Sequence, residues 1–353
     1  MIQNIKHTII KTNKFEDDKL SFNINNSDNK IDISFINSIR RNIEENLDGF
    51  IIDNIKFIEN NNAKYFNDFI LQRLKMLPYI YSLVSNYDLT KLIIKLNISN
   101  ENLFPITITT NDLEFFYEDK LIDNFISYNN ILLLSNIGPN NTIKFEFNLK
   151  KVNINEYTEN NINHYPSVKY TCQNVYCFEN DHDEMNKMIK EKKITDEKEI
   201  IDFKLSNIIY KKNKLGKPYQ YNYYLESNGI MSCRETLVKS LRLLIGKIKK
   251  IIDLCDKDSE YIEISESYNN PHISIITFLN ETHTIGNLFS NYFSENNMLD
   301  YCSYHIPHPL INKLHVKLTY KDVSANKRSN TVNIIKEECS KLITLYEEFM
   351  SYF

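Results

Sequence analysis

The sequence predicts an α+β protein: two α/β units, one towards each end of the chain, with a mostly β insertion set into the first. Three observations predict it. Near both ends, apolar residues alternate with polar ones and then fall at helical spacing. Short β-like runs separated by Asn-rich turns fill the stretch from about 87 to 201. Two long helical patterns, near residues 240 and 340, each carry a narrow apolar seam of heptad type.

Taken in order, Phe22, Ile24, Ile31, Ile33 and Phe35 alternate as a strand does, and Ile36, Ile39, Ile43 and Leu47 then recur at helical spacing. Phe50–Glu59 is rich in β-formers. A second helix is expected over Phe66–Leu77, ended by Pro78. Strands are expected at Leu92–Ile98, Ile106–Thr110, Ile131–Leu134, Ile143–Leu149 and Val168–Cys172, and the charged stretch Asp181–Glu199 reads as a solvated helix. Phe203–Tyr210 and Tyr219–Glu226 read as strands. Cys233–Ile252 reads as a long helix with Leu237, Leu241, Leu244, Ile248 and Ile251 spaced 4, 3, 4, 3, and Asp253–Asn270 as a polar linker. His272–Phe278 is an expected strand and Thr282–Phe293 an amphipathic helix. Strands follow at Tyr301–Ile306 and Leu314–Tyr320. A closing helix, about Thr331–Tyr352, is striped by Val332, Ile335, Cys339, Leu342, Tyr346 and Phe349. A narrow seam asks for a helical partner. Two readings stand on pattern alone: each seam packs on its own sheet, or the two seams meet and join the units.

Composition narrows the function. With 42% hydrophobic residues and 12% aromatics in 353 residues, the chain has the material for a sizeable core rather than for disorder. Gly and Pro together number only 14, too few for a small protein made of tight β turns. The 49 Asn against two Ala reflect an A+T-rich coding genome. A net charge of −4 gives autonomous nucleic-acid binding little support. No apolar run approaches the roughly 20 residues that span a bilayer, and Met1–Lys14 has no apolar signal core. Six Cys without short paired spacings fit free thiols in a reducing compartment.

Catalytic patterns are missing. Six glycines supply no phosphate loop, and neither G-x-S-x-G nor H-E-x-x-H occurs. Cys172 and Cys177, with His164 before and His182 after, are spaced too widely for a usual zinc pair. His305 and His308 sit beside Pro307 and Pro309, so they do not share a helix. No metal and no cofactor are expected. Thr282 or Thr284 suits an N-cap, although a helix N-terminus can also hold an anion. Arg40 and Arg41 lie on the polar side of the Ile36–Ile39–Ile43 helix, read either as a solvated face or as a charged partner contact.

Several stretches together resemble a family. Asn37-Ser38-Ile39-Arg40-Arg41 is similar to an N-A-L-R-R helix motif. Phe69-Ile70-Leu71-Gln72-Arg73-Leu74 with Leu77-Pro78 is similar to F-I-x-x-R-L-x-x-I-P, and Lys150–Val168, with Tyr165-Pro166-Ser167-Val168, more loosely to K-K-G-I…W-S-P-V. Glu226-Ser227-Asn228-Gly229 fits E-S-x-G, and His283-Thr284-Ile285-Gly286-Asn287-Leu288 fits H-T-[LI]-G-N-L. Tyr304–Pro309 followed by Leu314–Leu318 fits the Y-x-x-x-H-P motif and its strand. In this order they resemble the two α-like subunits of multisubunit DNA-directed RNA polymerase joined end to end: the eukaryotic third and eleventh subunits, the archaeal D and L subunits, and in bacteria the α amino-terminal domain. Many larger partners carry a Cys-rich metal loop in the insertion, but Ile106–Leu134 has no Cys.

The resemblance implies two α-amino-terminal-like dimerisation units: residues 1–88 with 203–252, and residues 271–353, with 89–202 as the insertion and 253–270 as the linker. It implies a non-catalytic assembly platform. Expected partners are the largest and second-largest polymerase subunits and small accessory subunits, with no direct nucleic-acid contact, no membrane and no homo-oligomer. Implied interface residues are Arg40, Arg41, Arg73, Glu226, His283, Gly286 and Asn287, together with the seams Leu237, Leu241, Leu244, Ile248 and Val332, Ile335, Leu342, Tyr346. A fusion of this kind suggests a large DNA virus, hence host cytoplasm and virion. A viral scaffold unrelated to transcription, or an enzyme with a site in the insertion, remain the other two classes.

Overall fold

The computed structural model describes residues 2–12, 15–26, 30–128, 130–153, 169–213, 216–255, 257, 259–267, 270–308, 310–325 and 328–353, and the side chains of 3–17 lie outside the description. The expected Tyr165–Val168 motif and His164 fall outside the described residues.

The chain runs β1 (Ile2–Thr12), β2 (Phe15–Asn25), α1 (Ile33–Glu45), β3 (Asp48–Asn60), α2 (Asn67–Leu74), α3 (Tyr81–Val84) and β4 (Leu92–Ser99). It continues through β5 (Ile106–Thr109), β6 (Glu114–Tyr117), β7 (Lys120–Ile122), β8 (Leu132–Ile137), β9 (Thr142–Asn153) and β10 (Thr171–Phe178). Then come α4 (His182–Glu191), α5 (Glu197–Ser206), β11 (Gln220–Ser227), α6 (Cys233–Leu254), β12 (Ile262–Glu266) and β13 (Ile273–Leu279). The last elements are α7 (His283–Phe293), β14 (Leu299–His305), β15 (Lys313–Tyr320) and α8 (Arg328–Met350).

Local chemistry sets the helix starts. Asp32 caps α1 by accepting from the Ser34 amide at 2.8 Å, so Ile33 and Phe35 are helical where alternation alone suggested strand. Ser232 caps α6 by accepting from the Glu235 amide at 3.3 Å, and its hydroxyl donates to the Glu235 carboxylate at 2.9 Å, after a turn in which Gly229 sits at φ 86°. The Asp18 carboxylate, buried on β2, accepts the Cys233 amide at 2.7 Å and adds a negative group to that helix N-terminus. Thr282 caps α7.

Two sheets have one plan. The first has strand order β1-β2-β11-β10, the second β12-β13-β15-β14, and every neighbouring pair is antiparallel. Each sheet carries one helix after its second strand and a longer one after its fourth. The elements therefore correspond one to one: β1, β2, α1, β10, β11, α6 against β12, β13, α7, β14, β15, α8. The helices lie between the sheets. α1 packs on its counterpart α7, and α6 packs on its counterpart α8, the pairing a two-fold axis would impose. A single apolar core runs from Leu20 on β2 to Phe349 on α8.

The insertion has its own core, from Phe50 to Leu149, under a five-stranded sheet of order β3-β9-β4-β6-β7 and the β5–β8 pair. Its limits differ from the expected 89–202. β3 pairs along its length with β9, and α2 packs on β3 and β8, so both belong with the insertion rather than the first unit. β10 pairs with β11 in the first sheet. The sequence signals mark elements; long-range pairing decides which sheet they join. Three further differences are local. The charged stretch forms two helices, α4 and α5, each capped by its own Asp at 181 and 196. Phe203 lies in α5 rather than in a strand. The linker is shorter than 253–270, since α6 continues to Leu254 and β12 starts at Ile262.

Candidate subunit interface

The polar and aromatic contacts between the two sheet–helix units lie at the helix layer. Tyr346 of α8 stacks on Phe35 of α1 with ring centroids 4.4 Å apart, and its hydroxyl lies 2.6 Å from Ser38 Oγ, fully buried. Phe349 of α8 meets both Phe35 and Phe22 edge-on. Tyr292 of α7 donates to the Lys30 carbonyl and accepts from the Asp32 amide, both at 3.2 Å, tying α7 to the residues that start α1. Glu281, its carboxylate almost wholly buried, pairs with Lys247 of α6 at 3.2 Å and accepts from Tyr261. A buried carboxylate needs such partners, because desolvation otherwise opposes its charge.

The two seams lie in this layer. Leu237, Leu241, Leu244 and Ile248 on α6, and Val332, Ile335, Leu342 and Tyr346 on α8, are all buried in the one core. Removing a side chain of that size from water contributes about 1.5–3 kcal/mol, so these residues carry most of the adhesion and the polar contacts set register.

The H-T-I-G-N-L stretch has a packing explanation. A Cβ on Gly286 would collide with the Tyr304 ring and lie 2.8 Å from Leu314. Glycine lets α7 sit down on β14 and β15. Thr284 and Ile285 are buried, whereas His283 is exposed at the helix start with its ring edge-on to Tyr304, 5.8 Å away. The Asn287 side chain accepts from Asn291 one turn on, at 3.3 Å. This N-terminus is therefore a capped, packed helix start.

The arginines are held from within. Arg40 pairs with Glu44 at 3.1 Å and donates to Asn37, and Arg41 pairs with Glu45 at 2.7 Å, both i, i+4. The Arg40 carbonyl also accepts from Asn174 of β10 at 2.9 Å, which fixes the outer end of α1 to the sheet. Arg73, far away on α2, donates to the Leu132 carbonyl, beside exposed Phe66, Phe69 and Met76. Glu226 pairs with Lys19 across the outer face of the first sheet at 3.1 Å. The structure thus brings the seams and Glu281 together. It leaves Arg40 with Arg41, Arg73, Glu226 and His283 as separate surface points. Cys172 and Cys177 are exposed on β10, the Cys172 thiol donating to the Ser227 carbonyl at 3.7 Å, and His308 accepts from the Leu310 amide.

One polar knot has no sequence signal. Asp48, at the start of β3, receives Lys151 at 2.6 Å, the Tyr81 hydroxyl at 2.8 Å and Lys239 of α6. Lys239 also lies 3.5 Å from the centre of the Tyr81 ring, a close cation–π contact. Tyr170 donates to the Asp48 carbonyl. These groups span both cores and pin the insertion to α6. Partial burial works against the Asp48 charge, but the hydrogen bonds from Lys151, Lys239 and Tyr81 outweigh it and hold the pKa down to about 2. A depressed carboxylate adds stability in full above its unfolded value near 4, and that contribution is lost as the pH falls toward 2. Asp48→Asn should therefore lower the urea midpoint at pH 7, and the gap to the parent chain should close by pH 2. A gap of the same size at both pH values would contradict this assignment.

Comparison with known proteins bears on this architecture. Residues 274–351, from β13 to the end of α8, match the RNA polymerase Rpb3/Rpb11 dimerisation domain. The DNA-directed RNA polymerases I and III subunit RPAC2 of Drosophila melanogaster is 30% identical over 83 residues, covering 22% of this chain and 73% of that protein. The chain belongs to the RNA polymerase α-like subunits. In this α-like subunit the matched domain covers β13, β14 and β15 of the second sheet with α7 and α8, including Gly286, Tyr304 and the seam of α8. Family membership implies association with other RNA polymerase subunits and fits a non-enzymatic component of that complex. No helix among the described residues is long and apolar enough to cross a membrane.

Proposed function

We propose that this chain supplies both members of the α-like pair in one polypeptide and serves as the assembly platform of a DNA-dependent RNA polymerase. The observation that carries the reading is the shared plan of the two sheets, with each helix packed on its counterpart. The first unit, residues 2–45 with 170–254 and the insertion between, takes the part of the larger partner. The second unit, from Ile262 onward, takes that of the smaller. Joining them makes pairing intramolecular, raises the effective concentration of one for the other and fixes their ratio at one to one. A platform whose own adhesive face is already covered has no call for a second copy.

The remaining surface is then free for the largest and second-largest subunits and for small accessory subunits. Nucleic acid and the catalytic metal belong, in this reading, to the large subunits, in keeping with the acidic net charge. The Asn-rich composition and the fused arrangement support an origin in a large DNA virus, with the protein in host cytoplasm and virion. Arg40, Arg41 and Arg73 are our contacts to the second-largest subunit, since the guanidinium fork suits partner carboxylates. Arg40 and Arg41 are only partly exposed and pair on their own helix, so replacing both with alanine removes at most about 1 kcal/mol of helix ion pairing. The expected result of Arg40→Ala with Arg41→Ala is an unchanged far-UV circular dichroism melt and weaker co-purification of the second-largest subunit. Undiminished co-purification would remove both residues from that interface.

A further inference from the structure

A cleft of about 800 Å³ opens where α3 faces the first half of α6 and the last residue, Phe353. Its floor is apolar, with Met231, Val238 and Phe353 among its walls. Its charged groups are Arg234, Lys239, Arg242 and Glu235. Two of these are already committed. Lys239 is paired with Asp48, and the Glu235 carboxylate accepts from the Ser232 hydroxyl at the start of α6 and keeps its negative charge against the three cations. Arg234 and Arg242 are exposed, and neither pairs with an aspartate or glutamate among the described residues. Arg234 uses its Nε–H on the Phe353 main-chain oxygen, which holds the guanidinium over the cleft. The two arginines are eight residues apart on one helix, roughly 12 Å along its axis, with Val238 midway on the same face. In a chain of net charge −4, this is a local positive, apolar-floored groove.

We propose that this cleft is a docking groove for an acidic peptide segment of another polymerase subunit: two carboxylates about 12 Å apart, flanking an apolar side chain that rests on Val238 and Met231. In extended conformation that separation is roughly four residues. Each guanidinium fork binds one carboxylate, and the apolar side chain fills the floor between them. Nucleic acid is the poorer fit, because two arginines around an apolar floor neutralise few phosphates. The proposal deepens the assembly reading and rests on it, naming the chemistry of one partner contact.

The test uses the assembled polymerase, with Val238 replaced by the photo-crosslinker p-benzoylphenylalanine and the adducts mapped by mass spectrometry. The expected adduct is one protein segment in which two Asp or Glu flank an apolar residue. Arg234→Glu with Arg242→Glu should cut the adduct yield roughly tenfold while the chain still co-purifies with the large subunits, and lysines in place of the two partner carboxylates should restore it. Because both arginines are exposed, the doubly changed chain should melt like the parent, checked by circular dichroism. An adduct on RNA, an adduct on a neutral or basic segment, or a yield indifferent to the charge reversal would overturn the groove while leaving the assembly reading in place. A chain absent from the purified polymerase would overturn the assembly reading and the groove with it.

Discussion

Tyr346→Ala should cost the chain about 3–5 kcal/mol, the range for deleting a large side chain from a packed core. Tyr346 has no exposed surface, stacks on Phe35 and bonds Ser38, both on the opposite unit. Tyr346→Phe keeps the ring and removes only the hydroxyl, so it should cost about 1 kcal/mol, with Ser38 still able to donate to the Phe35 carbonyl at 2.6 Å. Urea denaturation followed by far-UV circular dichroism measures both. A double-mutant cycle of Tyr346→Phe with Ser38→Ala should give a positive coupling energy, the sign that the contact joins the units. If Tyr346→Ala cost under 1 kcal/mol, the clasp drawn here would be wrong.

Gly286→Val should be the second severe change. Glycine inside a helix is normally a weakness, and alanine at such a site is worth up to about 1 kcal/mol in propensity. Here any Cβ runs into Tyr304 and Leu314, and a branched one adds a second methyl to the collision. α7 would have to lift from β14 and β15, loosening Ile285, Leu288 and Phe289, all buried. Overpacking of this kind costs about 1–3 kcal/mol, which exceeds the propensity gain. Gly286→Ala should therefore also destabilise, by less than Gly286→Val. A stabilising Gly286→Ala, read from the urea midpoint, would show that the sheet yields at no cost and that the glycine has no packing role.

Much of this architecture is legible in the residues because short-range physics writes it there. The apolar periodicities of α1, α6, α7 and α8 are each the imprint of one buried face, and the Thr282 cap is local. The rest depends on pairing across long stretches of chain. Nothing in Phe50–Glu59 says that β3 joins β9 rather than β2, since a strand of β-formers suits either sheet. The Asp48 knot draws on residues 48, 81, 151, 170 and 239, which no spacing rule connects. Glu281 carries no signal of its own in the sequence; its burial against Lys247 depends on where α6 passes. The arginines read equally as solvated or as partner contacts, because an exposed i, i+4 ion pair is compatible with both.

The central claim is that the two units of one chain clasp each other through their helices. Native mass spectrometry of the chain, cut at a protease site introduced at Lys257 in the short α6–β12 connection, tests it directly. We expect the two fragments to remain together as a one-to-one complex with the mass of a single chain, 41.9 kDa apart from the inserted site. Fragments that separate under native conditions, or an uncut chain found as a homodimer, would contradict it.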